Sequence, residues 1–186
     1  MARNKLRILL SFYSLPKHHT IHTALLITNK IKNGAKRGTI SARKWHVKNT
    51  IQLINHVPAR PWRREREIIP DIDNDLRLLA CAVIAKVYDI DEVERLINSV
   101  PVYQPEDVDQ DMACVFDSNI WAKEAMKELR WENVVKATLV TKAEEKLNLY
   151  IANHPARWNV QSGTDVQGEP PIVPIIDMFT GKMLRE

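Results

Sequence analysis

Hydrophobic and polar positions change their period near residue 70 of this 186-residue chain. Before it, residues 5–13 (KLRILLSFY) and 22–28 (HTALLIT) are short apolar runs rich in branched and aromatic residues, which predicts two strands. Residues 44–54 alternate, with Trp45 and Val47 to one side and His46, Lys48 and Thr50 to the other; residues 61–69 alternate again. Pro16 marks a turn, and 29–41, with two glycines and a run of basic residues, reads as a loop. After residue 70 the period becomes helical. Leu76, Leu79, Ala80, Val83, Ile84 and Val87 form a stripe that predicts a core helix over 73–88, and Val93, Leu96 and Ile97 a shorter one over 91–99. Residues 101–115, with two prolines, read as a loop. A third helix opens at Asp117-Ser118-Asn119, each a competent N-cap, and carries Ile120, Trp121, Ala125, Met126 and Leu129 on one stripe. A fourth covers about 134–153, followed by a polar link, an edge segment at 172–177 and a turn at Thr180-Gly181-Lys182. Strands first and helices second predict one α+β domain over 1–186: an N-terminal antiparallel sheet of about four strands, about four helices packed on one side, and 155–186 as an extended tail.

Charge changes the picture only in part. The net charge of +4 is uneven: residues 1–70 carry 15 Lys and Arg against two acids, residues 71–186 carry 12 against 21. Such a split suits either nucleic acid on the basic half or complementary halves that pack or assemble together, a homodimer being one outcome; the second reading is the simpler. Trp45 and Trp62 interleave with the basic residues as base-stacking side chains would, but their spacing fits core positions better. No recognition motif supports nucleic acid. No apolar run has the roughly 20 residues of a membrane span, and the short apolar patch after Arg3 and Lys5 is not read as a signal peptide. Two cysteines, Cys81 on the predicted core helix and Cys114, give neither a disulfide framework nor zinc spacing, so the expected compartment is the cytoplasm.

The candidate chemistry is a histidine pair with a hydroxyl. His22 opens the second strand and His46 lies in the third, so a hairpin can set them side by side, with Ser118 facing them from the helix start. An imidazole near a hydroxyl is the minimum equipment for nucleophilic catalysis, and Asp117 beside a histidine would raise its basicity. The bland alternative is a cap serine and two packing histidines. No phosphate loop, His-Glu-x-x-His or Gly-x-Ser-x-Gly pattern is present, and the sequence predicts no cofactor and no metal; His18-His19 with His22 is at most a weak metal contact.

Residues 21–26 (IHTALL), 45–50 (WHVKNT), 61–65 (PWRRE), 100–104 (VPVYQ), 116–129 and 177–182 (DMFTGK) resemble an uncharacterised fungal protein family, over nearly the whole chain. In that family the helix opens Phe-Asn-Cys-x-x-Trp, one histidine precedes Ala-Leu in the early strand, and a second lies in His-Val-Lys-Asn-Thr. Strand histidines followed by Asn-Cys at a helix start are similar to the permuted papain-like NlpC/P60 proteins, which are thiol hydrolases and acyltransferases. The resemblance implies His22 as base, His46 as second site histidine and Trp121 as the family tryptophan, with Trp45 and Asn49 as further substrate contacts. It also places Asp117 where the family has asparagine and Ser118 where it has cysteine. A serine lacks the helix-assisted ionisation of a thiol, so thiol chemistry is not expected.

These observations give a leading expectation: a degenerate Cys→Ser papain-like pocket at His22, His46, Asp117 and Ser118. It would bind or act on a small molecule or an acyl or amide substrate, in a setting such as fungal secondary metabolism. The alternatives are a non-catalytic interaction module and an anionic-polymer binder.

Overall fold

The computed structural model describes residues 6–15, 20–32, 40–107, 109–155 and 172–185. Its strands are β1 (Leu6–Leu15), β2 (Thr20–Asn29), β3 (Ala42–Lys48), β4 (Gln52–Ile54), β5 (Val57–Ala59), β6 (Arg63–Ile69), β7 (Leu78–Val87), β8 (Ile175–Asp177) and β9 (Met183–Arg185). The helices are α1 (Ile90–Ser99), α2 (Gln110–Val115), α3 (Ser118–Trp131) and α4 (Ala137–Asn153). The expected α+β class holds. The main sheet has seven strands, however, not about four, in the order β6-β3-β2-β1-β7-β8-β9, with only β7–β8 parallel. β4 and β5 form a separate hairpin, turned by Asn55 and His56, both at positive φ.

Alternation along the central strands separates two cores. Ile8, Leu10, Phe12, Leu25, Ile27, Trp45 and Val47 point to one face, where they meet Val93 and Ile97 of α1, Trp121 and Leu129 of α3, and Ala143 and Leu147 of α4. Leu9, Tyr13, Ala24 and Leu26 point to the other, which is covered by Ile31, Ile72, Val173 and Leu184 and by no residue of α1–α4. α1, α3 and α4 therefore pack on one side, as expected of the helices.

The largest correction is at residues 73–88, predicted to be a helix. Leu78–Val87 is β7, hydrogen-bonded between β1 and β8 and buried along almost all of its length. Cys81, Ala82 and Ala85 fill the gaps in the apparent stripe, making the run apolar all round. A strand buried on both faces and a buried helix share that pattern, and the free edge of β1 decides between them. Cys81 is core as expected, on a strand. Two smaller corrections follow: the third strand ends at Lys48, and the predicted loop over 101–115 contains the short helix α2. The segment expected at the sheet edge over 172–177 is instead the interior strand β8, flanked by β7 and by the edge strand β9; the turn at Gly181 (φ 72°) is as expected. Among the described residues no helix is long and apolar enough to cross a membrane.

Candidate functional site

β2 pairs with β1 along its whole length, and β3 pairs with β6 from Ala42 to Lys48. The pairing of β2 with β3 stops at Leu25–Trp45. Beyond that point the two strands part, splitting the sheet at one end, and both predicted histidines lie in the split. His22 Nε2 and His46 Nδ1 are 2.9 Å apart, with the rings edge to face at 5.1 Å between centroids. The start of α3 closes the split from the helix side. Thr23 N–H, left without a β3 partner, donates to Ser118 Oγ at 3.3 Å, and Thr23 Oγ1 donates to Asn119 Oδ1.

The register of β3 with β6 pairs Lys44 with Glu67 and His46 with Glu65, which puts four titratable groups on one face. His46 Nε2 lies 3.2 Å from Glu67 Oε1, and Lys44 Nζ donates to Glu67 Oε2 at 3.1 Å. Burial alone would raise the Glu67 carboxyl, but Lys44 and the His46 hydrogen bond outweigh it and hold its pKa at about 2. Burial, with the charges of His46, Lys44 and Arg77, pushes His22 from 6.5 down to about 3. Burial and Lys44 take His46 down to about 4 against the pull of Glu67. Near neutral pH both imidazoles are therefore uncharged beside an ionised carboxylate. That fixes the tautomers: Glu67 can only accept, so His46 Nε2 carries the hydrogen, His46 Nδ1 accepts from His22 Nε2–H, and His22 Nδ1 keeps the free lone pair.

These groups open on a cleft of about 640 Å³ across the strand ends, lined among others by Tyr13, His22, His46, Asn49, Trp62 and Arg77. Tyr13 packs edge-on to His22 at 6.3 Å between centroids and carries Lys44 Nζ 4.5 Å above its ring. Its hydroxyl is buried without a hydrogen-bond partner among the described residues, and burial pushes its pKa well up.

Of the predicted site residues, His22, His46, Asn49, Asp117 and Ser118 all line this cleft. Among the described residues no hydrogen bond joins Ser118 Oγ to either imidazole; its contact is Thr23 N–H. The Asp117 carboxylate caps α3, accepting from Asn119 N–H and Ile120 N–H at 2.8 Å each, instead of lying on a histidine. Trp45 and Trp121, offered as substrate contacts, are fully buried in the helix-side core and do not line the cleft. Their size and spacing reflect packing. Cys114 is exposed on α2, and the His18-His19 pair lies outside the described residues.

His46, Glu65 and Glu67 can bring one ligand atom each within 4.8 Å of one another. Lys48 Nζ already contacts Glu65 Oε2 and sits 3.8 Å from Glu67 Oε1, so an ammonium stands where a cation would. The basic strands are also internally matched: Arg43 and Arg66 both meet Glu94, and Arg63 meets Glu65.

The model of a family of unknown function (DUF6914) matches residues 5–183. The chain belongs to that family. The match takes in every strand of the sheet up to the start of β9, together with every residue of the cleft described above. No curated protein and no solved structure matches the chain.

Sequence reasoning missed Glu67, Lys44, Tyr13 and Arg77. Glu67 stands in Arg-Arg-Glu-Arg-Glu, which reads as a solvated charged face, and only the β3–β6 register selects it. The signal was present in part, since alternation placed Lys44 on the same side as His46. Arg77 was hidden by the mistaken helix over 73–88.

Proposed function

We propose that the cleft binds a small molecule and moves a proton to and from it at His22. The observation that carries this reading is the hydrogen-bonded chain His22–His46–Glu67, buried at its middle residue, His46, and lining the cleft along its length. In it Glu67 fixes the tautomer and orientation of His46, and His46 those of His22, leaving His22 Nδ1 to take a proton from a bound molecule. A positive charge formed on His22 can pass to His46 and rest against the Glu67 carboxylate, with each proton handed on through an existing hydrogen bond.

Acyl or amide transfer through Ser118 is the second reading, supported by the papain-like resemblance in the order of histidine strands and helix start. It requires Ser118 Oγ to exchange Thr23 N–H for an imidazole. The contact with Thr23 N–H favours the form without a covalent intermediate. The decisive experiment incubates wild-type protein and His22→Gln with a small-molecule extract in D₂O and compares them by mass spectrometry. We expect deuterium uptake or product formation with wild type that His22→Gln lowers by at least about a hundredfold, the usual worth of a positioned acid or base. Identical profiles from the two proteins would reject the proposal.

A further inference from the structure

Tyr13 is paired with His22 on one side and with Leu78 on the other, so this end of the sheet presents Leu78, Tyr13 and His22 in a row. Arg77 immediately precedes Leu78. It therefore stands two strands from His22, about 10 Å in backbone terms at the usual strand spacing. Its backbone is held: the carbonyl accepts from Ser14 N–H at 2.9 Å, and its own N–H donates to Asp75 Oδ1 at 3.4 Å. Its guanidinium is not. Among the described residues it has no hydrogen bond or ion pair, although it lines the cleft. The other two cations of the lining are matched, Lys44 by Glu67 and Lys48 by Glu65. Of the cations in the lining, the one left without a counter-charge among the described residues is thus a guanidinium, the group best shaped to hold a carboxylate through two parallel hydrogen bonds. The neighbouring Tyr13 hydroxyl has no partner among the described residues either. The rest of the wall is supplied by Leu15, Ile21, Val47 and Trp62, which suits an apolar body.

We propose that the ligand of this cleft is a carboxylate-bearing small molecule with an apolar body, its carboxylate held by Arg77 and its reacting atoms at His22. This rests on the cleft reading above and names its substrate class. It also gives the relay a way to be switched on. The charges of Lys44 and Arg77 help to keep His22 unprotonated in the open cleft. A carboxylate on Arg77 cancels one of them and raises the basicity of His22 only when substrate is bound.

The test uses the full chain with labelled histidines, titrated with 4-phenylbutyrate and with its uncharged amide while the His22 and His46 imidazole resonances are followed by NMR. We expect saturable shifts, with the carboxylate binding about tenfold more tightly than the amide. Arg77→Gln should abolish that preference while leaving the melting temperature at pH 7, and hence the fold, unchanged. At saturation with carboxylate, the titration midpoint of His22 should rise. Equal affinity for acid and amide, a preference that survives Arg77→Gln, or no saturable shift by the carboxylate up to about 20 mM would each overturn the inference. Amide binding that perturbs His22 with no preference for the acid would leave the cleft reading standing and remove only the anion. The proton-transfer reading fails separately, by identical profiles in the deuterium experiment.

Discussion

At the scale of single residues, the site depends on which side chains stay uncharged. His22, with a pKa near 3, and His46, near 4, are neutral in the folded protein at a pH where an unfolded chain, at 6.5, already holds the protons. Between about 6.5 and those values the unfolded state binds more protons, so stability falls as the pH drops through that window. Glu67 acts in the same direction lower down: its pKa of about 2 in place of 4.5 gives stability that is present above 4.5 and lost toward 2. We expect the melting temperature to fall measurably between pH 7 and pH 5, before ordinary carboxylates titrate. The double variant His22→Gln, His46→Gln should flatten that segment of the profile. A melting temperature constant from pH 7 to pH 5 would contradict the buried neutral pair. The two histidines could be picked out of the sequence because strand alternation sets which face a residue occupies. Their partner could not, because Glu67 is one of five consecutive charged residues and only inter-strand register distinguishes it from Glu65.

At the scale of elements, α3 shows what local sequence can and cannot tell. Its start at Ser118 and its buried stripe of Trp121, Ala122, Ala125, Met126 and Leu129 follow from the capping residues and the 3.6-residue period, both local properties. What the helix start touches follows from the split between β2 and β3, which no local pattern encodes. Strand β7 is the opposite case: its neighbours on both sides decided its conformation, and the sequence pattern alone pointed the wrong way. Because the Asp117 carboxylate caps α3, its role and that of a catalytic acid can be separated. Asn is as good an N-cap as Asp, whereas Ala removes the acceptor. Urea unfolding should therefore show Asp117→Asn close to wild type and Asp117→Ala less stable by about 1 kcal/mol. The Ala variant should also loosen the contact of Ser118 with Thr23, since both depend on the same first turn. If Asp117→Asn destabilised as much as Asp117→Ala, the charge and not the cap would be what matters there.

At the scale of the whole molecule, the face without helices must be sealed by other parts of the chain, and much of that sealing comes from its end. β8 lies parallel to β7, β9 returns beside it, and Val173 and Leu184 enter the second core. The link is electrostatic as well as apolar. Asp73, buried in the 3₁₀ turn Ile72–Asn74 before β7, accepts from Val173 N–H at 3.0 Å and from Arg185 Nη2 at 2.5 Å, the second joining positions 112 residues apart. Arg185 is itself buried, and its Nε and Nη1 have no partner among the described residues, which leaves the pair imperfectly satisfied there. A buried ion pair of this kind costs little to replace as a unit and much to break. Asp73→Ala, which strands the guanidinium in the core, should lower the unfolding free energy by about 3–5 kcal/mol. The combination Asp73→Leu with Arg185→Met should recover most of that loss. Denaturant melts of the three proteins would decide it, because a double variant no better than Asp73→Ala would mean that the hydrogen bond to Val173, and not the charge pair, holds the tail. The anchor lies only a few residues before Arg77, so the same measurement can be joined to the carboxylate titration. If Asp73→Ala weakens the acid preference while Asp73→Leu/Arg185→Met restores it, the tail does more than close the core: it holds the cationic end of the cleft in place.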